Sequence, residues 1–192
     1  MMNRFSFIIF ACLSILFLSC ATTGIQNESI IDRPGIIRWS DTTKLSWTDF
    51  TGIPPENTTL DFEMVVLTPA EFHEPSILRS AYARVECYMV KDASWVIKSK
   101  EKKQLLAYNQ IMFDICELSA RKLRKAISEA DFELWSAAEL FNKIYNENKR
   151  ELTNTIALYR SETETGINTK KLKEWQERVT RELSFLEDFE VE

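Results

Sequence analysis

The feature that most constrains this chain is a change in hydrophobic period at about Lys100. Before Lys100, apolar and polar residues alternate over short segments, which is typical of strands. After it, apolar residues recur about every 3.6 positions, which is typical of helices that bury one face. Strands therefore precede helices along the chain. This order favours an α+β fold with a small antiparallel sheet followed by about three helices.

Three short segments predict the strands. Residues 59–67 are rich in β-branched and aromatic side chains, residues 83–90 alternate between apolar and polar, and residues 92–97 are expected to complete the sheet. The face of the second segment that we expect to be buried consists of Ala83, Val85, Cys87 and Met89. Aromatic residues between Trp39 and Phe50 are expected to cover an edge of the core.

Three helices are predicted after Lys100. The first carries apolar residues from Leu105 to Ile127, the second covers about 129–148, and the last covers about 169–189. Residues 153–169 are polar and contain Gly166, so they predict a structured loop. The second helix is expected to bury Phe132, Trp135, Ala138, Phe141 and Tyr145. The last helix is expected to bury Leu172, Trp175, Val179, Leu183 and Leu186.

The first 20 residues resemble the export signal of a bacterial lipoprotein. Arg4 precedes an almost wholly apolar run over residues 5–18, a length that suits a signal-peptide core and is short for a membrane span. The run ends in Phe-Leu-Ser-Cys, which is similar to the motif whose Cys becomes the lipidated first residue. We expect a signal peptide over residues 1–19, lipidation of Cys20 and a tether over residues 20–35. The alternative is an uncleaved anchor helix.

Either alternative exports the chain and keeps it on a membrane. Because one acyl chain binds a bilayer weakly, a durable anchor at Cys20 requires the several chains expected of bacterial lipoproteins. The residue after Cys20 is not Asp, which favours the outer membrane of a Gram-negative-type bacterium. The remaining residues 36–192 are long enough for one well-buried core, so we expect a single domain.

Charge and cysteine content narrow the chemistry further. Residues 20–192 hold 23 of the 24 basic residues and all 29 acidic residues, a formal net charge of −6. No basic run is present, and this excludes nucleic acid as a partner. Cys87 and Cys116 remain after export, and two alternatives stay open for them: one disulfide, or two buried free thiols.

Three separated segments resemble one family of bacterial exported proteins, regarded as zinc-dependent proteases of the His-Glu-x-x-His type. The segments are KLSWTDFTGIPP, then SWV followed by LL and FDICELSARKLRK, and finally YRSETETGINTKKLKEW. Matching residues of the first segment are Leu45, Trp47, Asp49, Phe50, Gly52 and Pro54. Matching residues of the central helix are Gln110, Phe113, Asp114, Ile115, Glu117, Ala120 and Arg121. The order and spacing are kept over nearly all of residues 36–192.

The resemblance implies a zincin-like fold, with the helix that carries the degenerate His-Glu-x-x-His motif at its centre. In that register, Tyr108 and Met112 occupy the first two zinc-ligand positions and Asn109 occupies the position of the general base. Thr165 stands where the family has a His that is a plausible third ligand, and Arg160 stands in place of an Asp. Catalytic zinc requires three protein ligands and an open position, and these side chains do not supply them.

The sequence also lacks residues that other catalytic mechanisms require. His73 is the only His of the chain and lies in a polar, Pro-flanked segment, so we expect it to be exposed. Ser-His-Asp and Cys-His catalysis therefore have no base. Asp114 and Glu117 lie one turn apart, and the resemblance implies that Glu117 follows the ligand face as a ligand or an orienting group. The competing interpretation is that Asp114 and Arg121 form ion pairs that hold the helix in place.

These observations predict a catalytically inactive, protease-like lipoprotein without a cofactor. We expect it to bind a peptide or an envelope protein, or to serve as a structural envelope subunit. The former substrate cleft, lined by Tyr108, Asn109, Met112 and Thr165, is the expected binding surface. The alternative is an active hydrolase that uses a carboxylate-based metal site built from Asp114, Glu117 and further acidic residues.

Overall fold

The structure is a computed structural model that describes residues 35–191. The strands within this range are β1 (Ile36–Arg38), β2 (Phe62–Leu67), β3 (Ala70–His73), β4 (Tyr82–Val85) and β5 (Tyr88–Val96). The helices are α1 (Lys103–Ser128), α2 (Ala137–Thr163) and α3 (Thr169–Phe185). Strands followed by helices confirm the α+β class. The predicted signal peptide, Cys20 and the tether up to residue 34 lie outside the described residues.

The strands form two antiparallel sheets. The larger has the order β1-β5-β2, and the smaller is the β3–β4 hairpin. The pairing of β2 with β5 shifts register between Glu63 and Val65. Ser94 compensates for this shift, because its Oγ accepts a hydrogen bond from Val65 N at 2.9 Å and donates one to Val90 O at 2.7 Å. The buried hydroxyl thus replaces ladder hydrogen bonds that the bulge removes.

The prediction of one strand over residues 83–90 is wrong. Two strands, β4 and β5, meet there with Glu86 and Cys87 between them, and each pairs with different neighbours. The face expected to be buried is buried from Val85 onward, but Glu86 and Tyr88 of the opposite face are buried as well. The alternation of residue types continues across the break, although the segment is covered on both faces. The predicted strand 59–67 begins only at Phe62.

Helix α1 matches the predicted first helix and lies between two hydrophobic cores. The first core, on the sheet side, includes Trp39, Leu45, Phe50, Val85, Cys87, Met89, Phe113, Cys116 and Leu123. The second core, on the side of α2 and α3, includes Tyr108, Ile111, Met112, Ile115, Leu118, Tyr159, Leu172 and Trp175. The expected burial of aromatic residues between Trp39 and Phe50 is confirmed. None of the helices in residues 35–191 is both long and apolar enough to cross a bilayer.

The second predicted helix had the wrong bounds. Helix α2 begins eight residues later, at Ala137, and runs without interruption to Thr163, so most of the predicted loop 153–169 is helical. Trp135 precedes the helix and is exposed instead of buried. The helical stripe that continues through the polar segment is Leu152, Ile156, Tyr159 and Thr163. The predicted last helix is confirmed as α3, which buries Leu172, Trp175 and Val179 but ends at Phe185.

Gly52 allows the segment after Phe50 to approach β5 closely. Its N–H donates to Ser94 O at 2.8 Å, and a Cβ on Gly52 would lie 2.7 Å from Asp92 O and 2.8 Å from Ser94 O. These oxygens belong to the backbone of a central strand, so they cannot move aside cheaply. Any side chain at this position must therefore separate the segment from the sheet.

We expect Gly52→Ala to lower the free energy of unfolding by about 2 kcal/mol or more, because the new methyl group collides with two carbonyl oxygens. Urea denaturation measures this loss. Thr51→Ala is the matched control, since Thr51 is exposed and its backbone N–H keeps its bond to Lys91 O. Equal stability of the two variants would contradict the close approach of this segment to β5.

Candidate functional site

The three helix positions that the resemblance assigns to zinc chemistry are buried, and two of them, Tyr108 and Met112, belong to the second core. Tyr108 and Met112 lie one turn apart on α1, with Asn109 beside them. The three side chains are 2%, 7% and 1% exposed, respectively. The prediction that they line an open cleft is therefore wrong. A ligand could reach them only if the surrounding helices separated.

Tyr108 is held by aromatic contacts. Its ring stacks on Tyr159 with centroids 4.8 Å apart and an interplanar angle of 11°. The Tyr159 hydroxyl donates to the backbone oxygen of Tyr108 at 2.9 Å, and Trp175 packs edge-on against Tyr159 at 5.1 Å. Phe62 of β2 packs edge-on against Tyr108 at 5.8 Å. The sheet and α2 therefore meet at the Tyr108 ring, and α3 is joined to them through Tyr159.

Burial also decides the charge of these phenols. Burial raises the pKa of Tyr108, and the charge and hydrogen bond of Arg160 oppose that rise without cancelling it. Burial raises the pKa of Tyr159 well above its usual range, and the neighbouring Tyr108 adds to the rise. Both side chains are consequently neutral at physiological pH. A neutral phenol is a poor ligand for zinc.

The loop that carries Thr165, the predicted position of the third zinc ligand, packs against Tyr108. Helix α2 ends at Thr163, and Glu164 and Thr165 have positive φ angles of 50° and 53°. Gly166 follows with a φ of 95°, and a Cβ on it would lie 3.1 Å from Cβ of Tyr108. Thr165, adjacent to Gly166, is exposed. The structure thus brings the loop of residue 165 against the helix position of residue 108, although the two are far apart in the sequence.

Gln104 holds this loop on the first turn of α1. Its Nε2 donates to the carbonyl oxygens of Gly166 and Ile167, the second at 2.9 Å. Positive φ is costly for a β-branched residue such as Thr165, so the loop needs such external support. Gln104 supplies it from outside the loop.

Asn109 is a buried polar group with unused hydrogen-bonding capacity. Its Nδ2 donates to Leu105 O, one turn earlier on α1, at 2.9 Å. Its Oδ1 has no hydrogen-bond partner among residues 35–191. Leaving a buried amide oxygen without a partner is unfavourable. The position assigned to the general base is therefore a weak point of an otherwise well-packed core.

Asp114 and Glu117 lie on other faces of α1 than Tyr108. At 3.6 residues per turn, Glu117 is rotated by about 180° and Asp114 by about 120° from Tyr108 around the helix axis. The prediction that Glu117 follows the ligand face is wrong. Asp114 Oδ1 accepts hydrogen bonds from Trp39 Nε1 at 2.9 Å and Gln110 Nε2 at 3.1 Å. Burial raises the pKa of Asp114, and these two hydrogen bonds limit the rise.

Glu117 is neutralised by two arginines of its own helix. Its Oε1 lies 3.1 Å from Arg121 Nε and 2.8 Å from Arg124 Nη1. The guanidinium groups also bind other parts of the chain: Arg121 contacts Leu183 O and Glu190, and Arg124 contacts Val85 O and Phe189 O. The expected ion pair of Arg121 is present and is made with Glu117, whereas Asp114 accepts hydrogen bonds from neutral side chains instead. We name Glu117, Arg121 and Arg124 the arginine clamp, because they join α1 to β4 and to the C-terminal segment.

The remaining candidates do not form a site. Within residues 35–191, no three His, Cys, Asp or Glu side chains are grouped closely enough to hold a metal ion. His73 is partly exposed, stacks on Tyr82 at 4.2 Å and lies 3.3 Å from Glu71. Cys87 and Cys116 are buried free thiols, and burial raises the pKa of Cys116 to about 12. Such a thiol is protonated and unreactive at neutral pH.

The arginine clamp was missed at the sequence level, although its spacing was visible. Glu117, Arg121 and Arg124 recur at four and then three positions, which places them on one helix face. The sequence did not show that the C-terminal segment supplies carbonyl partners for that face.

Comparisons with known proteins returned no match, whether to a family model, to a curated protein or to a solved structure.

We expect Glu117→Gln to lower the free energy of unfolding by about 3 kcal/mol, because two buried guanidinium groups lose their shared counter-charge. Chemical denaturation at neutral pH measures the change. Glu151→Gln is the matched control, since Glu151 makes a 2.7 Å pair with Lys122 at the surface. That exposed pair is worth less than about 1 kcal/mol. Equal losses in the two variants would show that the clamp does not hold the fold.

Proposed function

We propose that this chain is a lipid-anchored envelope protein whose domain has a zincin-like frame without zinc chemistry. It acts as a binding or structural module and not as a peptidase. The observation that carries the proposal is the burial of Tyr108, Asn109 and Met112 in a packed core, at the three positions where the resembling family has two ligands and a base. Attachment to a membrane follows from the lipoprotein-like segment that ends at Cys20.

Contacts between residues that match the family pattern support the frame. Leu45 N donates to Gln110 Oε1 at 2.9 Å, which joins the first matching segment to the central helix. Gly52 N donates to Ser94 O, which joins the first segment to the Ser-Trp-Val segment. Three stretches that are distant in sequence therefore meet as parts of one arrangement around α1.

The third matching segment gives similar support. Tyr159 and Trp175 match the pattern and contact each other, and Trp175 Nε1 donates to Glu162 Oε2 at 2.8 Å. Thr165 has a left-handed backbone conformation, which His tolerates better than a β-branched residue does. This backbone suits the His that the family has at the same position. The Thr in this chain therefore accepts strain at a place where the family residue would have less.

The residues present do not fit zinc. Tyr108 is neutral, the Met112 thioether is a soft ligand, and the Thr165 hydroxyl is exposed. Tyr108 is also larger than an imidazole, so its ring occupies volume that a ligand, a metal ion and a water molecule would need. In this proposal the residue that replaces the first zinc ligand, Tyr108, is therefore also the residue that fills the site.

The alternative of a carboxylate-based metal hydrolase finds no supporting observation. Both oxygens of Glu117 face arginines, and a metal ion would have to compete with two guanidinium groups for them. Asp114 uses Oδ1 to hold Trp39 and Gln110. A binding role consequently has to use the outer surface of the domain.

Metal analysis of the purified domain tests the proposal. After incubation with zinc and dialysis, we expect far less than one zinc ion per chain, and no hydrolysis of casein or of peptide libraries. The reason is that neither α1 face offers three accessible ligands. Asp114→Asn and Glu117→Gln should leave this result unchanged. Stoichiometric zinc in the wild-type domain that is lost in either variant would replace the proposal with the carboxylate-metal hydrolase.

A further inference from the structure

The β3–β4 hairpin carries apolar residues where a turn normally has polar ones. Ser76 and Arg79 pair with each other through N–H···O bonds of 2.8 and 3.2 Å, so Ile77 and Leu78 are the two central residues of a tight turn. Gly, Asn and Asp dominate such positions because they suit the backbone and the solvent. Ile77 and Leu78 are 94% and 96% exposed. Packing within the domain therefore does not explain why these two positions hold large apolar residues.

A second exposed apolar segment faces the hairpin. Leu134 of the α1–α2 connection and Leu78 of the turn line the same open groove, which has a volume of about 940 Å³. The next residue, Trp135, is 93% exposed. The hairpin contacts this connection: the ring of Phe72 in β3 lies 5.1 Å from the ring of Phe132, which precedes α2. We name Ile77, Leu78 and Trp135 the apolar tips.

The chemistry of the apolar tips fits a lipid surface. All three side chains are almost fully exposed, and they lie in connections outside the strands and helices. Trp and Tyr favour the boundary between acyl chains and headgroups, and Tyr82 stands beside the turn with the Arg79 guanidinium 5.1 Å from its ring. The charged residues that line the groove are Arg79, Arg124 and Asp131. Arg124 is paired with Glu117, so the charges of Arg79 and Asp131 balance. Attachment there should depend on apolar insertion and not on anionic lipid.

A bilayer is also the surface nearest to this domain, if the proposed lipidation of Cys20 holds. Residues 20–34 span at most about 50 Å when fully extended, at about 3.3–3.6 Å per residue. A tether of this length keeps the membrane at a high effective concentration, so a contact that is weak alone becomes populated. This part of the inference rests on the proposed function.

We propose that the apolar tips form a membrane-contact surface that enters the headgroup region of the bilayer and orients the domain on it. The anchor at Cys20 would then supply attachment, and the tips would supply orientation. A durable lipid anchor and a second, weaker membrane signal in one chain act together in this way.

Vesicle flotation with residues 33–192 separates the tips from the anchor. Both hydrophobic cores lie within residues 35–191, so this fragment contains every element of the fold. We expect it to float with phosphatidylcholine vesicles, and equally when phosphatidylglycerol is added or the salt concentration is raised. Ile77→Ser/Leu78→Ser and Trp135→Ser should each reduce partitioning by about tenfold or more. Their melting temperatures should not change, because these side chains are exposed.

Ile53→Ser/Leu60→Ser is the matched control, since it removes two exposed apolar side chains outside the tips. Its flotation should equal that of the wild-type fragment. The proposal is overturned by failure of the wild-type fragment to float, by equal losses in control and tip variants, or by binding that requires phosphatidylglycerol. It is also overturned if the tip variants float normally but lose a bound envelope protein.

The anchor is tested separately in cells. Cys20→Ser in the full chain should move the protein from the membrane fraction to the soluble fraction. The tips alone bind too weakly to retain the protein when membranes are diluted and washed, whereas flotation is measured with vesicles in excess. Unchanged fractionation would refute lipidation and favour an uncleaved N-terminal helix. That result would leave the flotation measurement intact, so failure of the anchor and failure of the tips are distinguishable.

Discussion

Helix α1 has to be buried over most of its surface, and the arrangement of the other elements follows from this requirement. Of its 26 residues, 14 are buried, including Glu117 and Arg121. One flank packs on the sheets and another on α2 and α3. The third bears the arginine clamp, whose guanidinium groups need acceptors because buried charges are costly without partners. Val85, Leu183 and Phe189 provide those acceptors and hold β4 and the C-terminal segment in place.

Local patterns predicted the elements that depend on a single period. Helices α1 and α3 and the α+β order were recognisable because their apolar stripes are regular. The break between β4 and β5 was not, since residue types alternate straight across Glu86 and Cys87 while their pairing partners change. Helix α2 was placed too early because Trp135 has the right type and spacing for its stripe, yet it is exposed. Pairing and exposure depend on partners distant in sequence, which local periodicity does not report.

Some features of the candidate site were also predictable from local sequence, and others depended on residues distant in sequence. The register of α1 put Tyr108 and Met112 on one face, and the loop of Thr165 lies against that face as the resemblance implied. Burial of these positions was not predicted, because it depends on Tyr159, and residues 153–169 had been predicted to form a loop. The position of Glu117 was misjudged although α-helical geometry alone separates it from Tyr108 by about half a turn. The replacement of the expected ligand and base residues was thus readable from the sequence, whereas the burial of their positions required the structure.

We propose that the frame of a zinc site persists in this chain while its ligands have been replaced. The most direct measurement is zinc binding by the variant Tyr108→His/Asn109→Glu/Met112→His/Thr165→His, followed by calorimetry and thermal denaturation. We expect the metal-free variant to be less stable than the wild type, because the Tyr108 ring contacts are lost. We also expect it to bind one zinc ion per chain, which raises its melting temperature. The same variant without Thr165→His should bind zinc more weakly. A folded variant that binds no zinc would contradict the account.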